Sequence, residues 1–214
     1  MVRTAVLVSG GGTNLQAIID ANLFGEIKNC ELSAVISSNP QAYAIERAQY
    51  AGIPVYIVDR SIFPNRLSFT KALLDKLQDL EIELVVYAGF NYILGHQLIK
   101  VYENKIINIH PSLIPAFCGP GFYGLRVHEA VLDYGAKVTG ATAHFATEIA
   151  DDGPIILQKA VEIFEDDTPQ VLQRRVMEEA EWKILPAAIS LFCERRLVVE
   201  GRKVRIEGML DNEV

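Results

Sequence analysis

Strand and helix signals alternate along this chain, and that alternation limits the folds open to it. Residues 4–9 are an apolar run, and Gly10, Gly11 and Gly12 make a turn. Thr13 or Asn14 is then placed to cap a helix whose apolar residues Leu15, Ile18 and Ile19 recur at helical spacing. Strands are predicted at 32–37 and 54–58, with an amphipathic helix over 41–50 between them and Gly52, Ile53 and Pro54 as its stop. A helix over 66–80, a buried strand at 83–88, a short helix over 95–101 and a strand at 105–109 continue the series. Strands joined through helices pair in parallel, so the fold class is α/β: a mostly parallel, twisted sheet flanked by helices. After a Pro- and Gly-rich loop over 110–123 come a helix over 125–134 and two strands, 140–146 and 154–161, expected to pair antiparallel and extend the sheet toward the C-terminus. Thr168 then caps one long helix through Leu172, Val176, Ala180, Leu185, Ile189 and Phe192, with a kink expected at Pro186. A hairpin around Gly201 and a loose tail over 211–214 close the chain.

The chain has 214 residues, half of them apolar, enough for one sizeable core, and no linker interrupts the alternation. A single domain over 1–214 is expected. There is no 18-residue apolar run, and the opening residues lead directly into a strand, so neither a membrane span nor a signal peptide is expected and the location predicted is cytoplasmic. Cys30, Cys118 and Cys193 are odd in number and far apart, which fits a reducing compartment and gives no metal-ligand spacing; no metal is expected. The net charge of -7 disfavours a nucleic-acid surface, although a small anion could be held locally.

Two short segments carry chemistry. Asn108 and His110 end a strand, and Pro111 and Pro115 prevent a helix beyond it. With an alternation of two, both side chains point to one face while Ile109 points into the fold. An amide donor beside an imidazole can stabilise an oxyanion, although a strand-end histidine satisfied by backbone would have the same sequence. The segment Asp151-Asp152-Gly153-Pro154 could bring a carboxylate to His110 and favour imidazolium, or be an ordinary turn. Gly10, Gly11 and Gly12 before a helix start can present backbone N–H groups to a phosphate, or simply form a tight turn. Leu15 stands where the dinucleotide fingerprint needs glycine, and no Gly-Lys-Ser/Thr follows, so neither common nucleotide motif is satisfied. His144 lies within a strand; His96 and His128 are expected on helix surfaces; Glu178, Glu179 and Glu181 are expected on a solvated helix face.

These segments in this order resemble the phosphoribosylglycinamide formyltransferases, folate-dependent enzymes of purine synthesis. The likeness is carried by residues 8–18, by Ala88-Gly89-Phe90, by Asn108-Ile109-His110-Pro111-Ser112-Leu113, by 140–145 and by 152–158, and it covers nearly the whole chain. It implies transfer of the formyl group of 10-formyltetrahydrofolate to the amine of glycinamide ribonucleotide, on the way to IMP. It implies catalysis by Asn108, His110 and Asp151, with His144 behind them, and a ribonucleotide site formed by Gly11, Gly12, Thr13, Asn14 and Glu181. Folate contacts are implied for Arg66, Asn91, Tyr92, Ile93, Leu94, Asn108, Thr147, Glu148, Ile149, Ala150 and Asp151. The partners implied are these two small molecules, with no nucleic acid and no membrane.

Three departures stand out. Relatives commonly carry Met-Arg where this chain has Asn91-Tyr92; the loop over 116–124 is longer than in compact members; and the spacing from Val176 to Glu181 is one residue longer. A 10-formyltetrahydrofolate hydrolase and a non-catalytic phosphate-ligand sensor are the competing readings. The phosphate loop argues against the first, and the Asn108, His110 and Asp151 set against the second.

Overall fold

A computed structural model of the chain describes residues 1–208; the tail expected at 211–214 lies outside the described residues. Among the described residues nine strands form one sheet in the order β3-β2-β1-β4-β5-β6-β7-β9-β8. The strands are β1 Val2–Val8, β2 Cys30–Ser37, β3 Val55–Ile57, β4 Leu84–Tyr87, β5 Ile106–His110, β6 Val138–Phe145, β7 Ile155–Glu162, β8 Leu197–Glu200 and β9 Lys203–Ile206. From β3 through β5 every pairing is parallel, and β5–β6 and β6–β7 are antiparallel, as the sequence predicted. The terminal hairpin β8–β9 also joins the sheet, through the single parallel pair Ile155–Lys203.

The helices are α1 Thr13–Leu23, α2 Ala44–Tyr50, α3 Arg66–Asp79, α4 His96–Val101, α5 Leu125–Tyr134, α6 Pro169–Val176 and α7 Trp182–Cys193. Both faces of the central strands are covered, which is why these strands read as apolar runs with little alternation. Val6 and Val8 pack with Leu15 and Ile18 of α1 and Leu185 of α7, whereas Ala5 and Leu7 face Phe69 and Leu73 of α3 and Leu98 of α4. The same alternation along β5 sends Ile107 and Ile109 to the first layer and turns Asn108 and His110 toward the second.

Local signals fix several helix ends. Asn65 caps α3 by accepting the Ser68 N–H at 2.9 Å, and Thr168 caps α6 by accepting that of Val171 at 3.3 Å, with Pro169 at the first helical position. The start of α1 corrects the sequence reading: its cap is Gly12, in left-handed conformation with φ 72°, and no side chain of Thr13 or Asn14 caps it. A β-carbon at Gly12 would lie 2.6 Å from that of Ala44, so close docking of α2 leaves room only for glycine.

The helix expected from Thr168 to Phe192 is interrupted, but not at Pro186. Met177–Glu181 form a π turn between α6 and α7, in which the Trp182 N–H reaches the Met177 carbonyl, and Pro186 sits within α7. A π turn absorbs one extra residue without breaking the helix axis. It coincides with the segment whose spacing is one residue long, and it turns Glu181 inward while Glu178 and Glu179 remain exposed. Among the described residues no helix is long and apolar enough to cross a membrane.

Candidate active site

The face of β5 that carries Asn108 and His110 meets the turn between β6 and β7. That turn is tight: Asp151 has φ 55°, and a β-carbon on Gly153 would lie 1.6 Å from the Phe145 carbonyl oxygen, so position 153 can only be glycine. The turn delivers the Asp151 carboxylate between the two side chains. Its Oδ2 lies 3.5 Å from His110 Nδ1 and its Oδ1 accepts from Asn108 Nδ2 at 3.4 Å. His144, across the antiparallel pair from Asn108, stands behind them with Nε2 3.1 Å from Asn108 Nδ2 and 3.7 Å from Asp151 Oδ1. Residues 43 positions apart in sequence therefore meet, which spacing alone could not establish.

Backbone from the long loop after β5 completes the cluster. The Phe117 carbonyl accepts from His110 Nε2 at 2.9 Å, and the Gly119 N–H donates to Asp151 Oδ2 at 2.9 Å. Phe117 is held in left-handed conformation, φ 49°, with its ring against Phe122 and Tyr134. This loop was not expected to touch His110 or Asp151, because main-chain contacts leave no mark in residue type.

The electrostatics correct one expectation. His110 has a proton acceptor at each ring nitrogen, the arrangement that suits imidazolium, yet burial outweighs Asp151 and the Phe117 carbonyl and holds its pKa below the ordinary value. Burial also pushes the Asp151 carboxyl up, but His144, His110 and the Gly119 N–H together overcome it, so Asp151 remains an anion. The carboxylate thus supports charge on His110 without being the dominant influence.

A second cluster lies at the start of α1. Asn14 Nδ2 donates to Glu181 Oε2 at 2.6 Å, and Glu181, expected on a solvated face, is buried. Burial raises its pKa to about 7, against the opposing bond from Asn14. Because no side chain caps α1, the first-turn N–H groups beside Gly12 are not claimed by a side-chain acceptor. The Asn91 N–H donates to Ser9 Oγ at 3.2 Å, joining the 91–94 segment to the residue before the glycine loop.

That segment and the 147–151 turn each expose apolar side chains. Tyr92, Ile93 and Ile149 are exposed, and Tyr92 stands edge-on to Phe69 and Phe90 at 5.6 and 5.7 Å. His96 of α4 pairs with Glu148 and so ties the two segments together. Leu94 is buried and turned into the core, and Arg66, the first residue of α3, is exposed. The surface expectation for His128 fails, whereas Asp152 keeps clear of His110. His128 is fully buried on α5 with both ring nitrogens unpartnered and its pKa pushed down to about 4 by burial, and Asp152 bonds Arg202 of the terminal hairpin at 3.1 and 3.3 Å.

The chain thus brings an amide, an imidazole and a carboxylate together at the C-terminal end of β5. Residues 2–189 match the formyl transferase family, and the chain belongs to that family. It is 38% identical over 208 residues to the phosphoribosylglycinamide formyltransferase of Haemophilus influenzae, covering 97% of this chain and 95% of that one. Its fold matches glycinamide ribonucleotide transformylase 1 from Symbiobacterium toebii with a TM-score of 0.90 at 45% identity, over 96% of this chain and 94% of that chain. A formyltetrahydrofolate deformylase from Pseudomonas syringae matches with a TM-score of 0.85 at 25% identity, over 96% of this chain but 65% of that one.

Proposed function

We propose that this chain is a phosphoribosylglycinamide formyltransferase, moving the formyl group of 10-formyltetrahydrofolate to the amine of glycinamide ribonucleotide in purine biosynthesis. The observation that carries the reading is the meeting of Asn108, His110 and Asp151 at the end of β5. The near full-length match to relatives of that name supports it.

Gly11, Gly12, Thr13 and Asn14 hold the phosphate through backbone N–H groups, and Glu181 takes the ribose and amide end. Arg66, Asn91, Tyr92 and Ile93, with Leu94 through its main chain and with Thr147, Glu148, Ile149, Ala150, Asp151 and Asn108, line the folate. The bound folate supplies an activated formyl carbon. Asn108 donates to the oxygen that gains charge as the amine adds. His110 in its protonated form, which Asp151 and the Phe117 carbonyl favour against burial, stabilises the same oxygen; collapse of the adduct breaks the carbon–nitrogen bond to the folate, whose nitrogen takes up a proton from His110 while the new ammonium gives one back to it. Asp151 orients the ring, and His144 braces Asn108 and Asp151. Transfer is direct between two bound substrates, since no serine or cysteine nucleophile is placed against His110 in a recognisable elbow.

The test is to mix the protein with 10-formyltetrahydrofolate, with and without glycinamide ribonucleotide. Tetrahydrofolate formation is expected to depend on the ribonucleotide. Equal formate release with and without it would replace this reading with a hydrolase.

A further inference from the structure

The glycine loop contains no cation of its own: Ser9, Gly10, Gly11, Gly12, Thr13 and Asn14 are all neutral. A cation reaches it from α2. Arg47 Nε donates to the Gly11 carbonyl at 2.9 Å, and its Nη1 donates to Gln16 Oε1 at 3.0 Å. The guanidinium also lies over the ring of Tyr43, 5.0 Å from its centre. Arg47, Thr13, Gln16, Ala17, Asp20 and Trp182 line one cleft of about 140 Å³ between α1, α2 and α7. The one carboxylate there, on Asp20, is bonded by Gln16 Nε2 at 2.9 Å rather than by Arg47. Arg47 is thus a half-buried charge committed to neutral acceptors, which leaves its charge uncompensated.

We propose that Arg47 is the positioning residue of the phosphate loop, fixing the Gly11–Gly12 peptide and supplying the positive charge that a bound phosphate dianion needs. The inference rests on the substrate reading above and deepens it. In a trans peptide the carbonyl and the next N–H point in opposite directions. Pinning the Gly11 carbonyl from the α2 side therefore turns the Gly12 N–H away from Arg47 and outward. A cationic bond to that carbonyl polarises the peptide and strengthens its N–H as a donor. Docking of Ala44 against Gly12 holds α2, and with it Arg47, in place. The full charge adds to the partial positive charge at the start of α1.

The experiment compares glycinamide ribonucleotide with its phosphate-free riboside on the parent, Arg47→Gln and Arg47→Lys proteins, each checked for an unchanged thermal transition. Arg47→Gln, which keeps a donor but no charge, is expected to raise the ribonucleotide KM roughly tenfold and leave the KM for 10-formyltetrahydrofolate within about twofold. Arg47→Lys is expected to recover most of that loss. On the riboside, parent and Arg47→Gln proteins are expected to share one kcat/KM. A normal ribonucleotide KM in Arg47→Gln, or the same loss on the riboside, overturns the proposal and leaves the substrate reading standing. A parent that uses riboside and ribonucleotide equally well overturns both.

Discussion

Asn14 and Glu181, 167 positions apart, share a hydrogen bond of 2.6 Å between the start of α1 and the π turn before α7. The bond places a carboxyl whose pKa is raised to about 7 beside the loop assigned to phosphate, and it depends on an extra residue being absorbed as a π turn. Because the group is buried, its ionisation is coupled to both folding and ligand binding.

Glu181→Gln tests the folding part. A carboxyl with a folded pKa of about 7, above the unfolded value of 4.5, binds more protons in the folded state across that interval, so it makes stability fall as pH rises from about 4.5 through 7. The glutamine variant is expected to lack this fall, gaining on the parent by up to the order of 3 kcal/mol between pH 5 and pH 8. Urea unfolding at both pH values measures it; parallel pH profiles for the two proteins would show that Glu181 titrates normally.

Asn108→Ala is expected to lower kcat by roughly 10²- to 10³-fold, the usual effect of removing one positioned oxyanion donor, with much smaller changes in both KM values. Steady-state kinetics decide it. A near-normal kcat would mean that the bonds from Asn108 to His144 and Asp151 serve the fold alone.

Asp151→Asn removes the charge that opposes burial at His110. The His110 pKa, already below its ordinary value, is expected to fall further, moving the high-pH limb of the kcat profile to lower pH. Asp152→Asn is the control: Asp152 pairs with Arg202 rather than with His110, so that limb is expected to stay in place. A displaced limb in the Asp152 variant alone would exchange the two roles.

The glycines of the loop are not equivalent. A β-carbon at Gly11 meets nothing within 4 Å, whereas one at Gly12 strikes Ala44. Gly11→Val is therefore expected to fold normally but obstruct ligand approach, weakening ribonucleotide binding with folate binding nearly intact, and Gly12→Ala to lower the melting temperature as well. Calorimetry and thermal unfolding separate the two effects; unchanged ribonucleotide affinity in Gly11→Val would place the phosphate elsewhere.

The sequence by itself determined the α/β alternation, the antiparallel return through β6 and β7, and the strand end carrying Asn108 and His110. Those features rest on apolar spacing and on proline and glycine signals, which act over a few residues. It also held the motifs that define the family. Tertiary structure decided what distant segments do to one another. It brought Asp151 to His110, buried Glu181 and His128 where helical patterning suggested surface, placed a π turn at Met177–Glu181, and laid the Phe117 carbonyl on the His110 imidazole. It also made burial, rather than the neighbouring carboxylate, the dominant influence on His110. Local patterns are written in adjacent residues, whereas desolvation, main-chain contacts and ion pairing exist only once the chain has closed on itself.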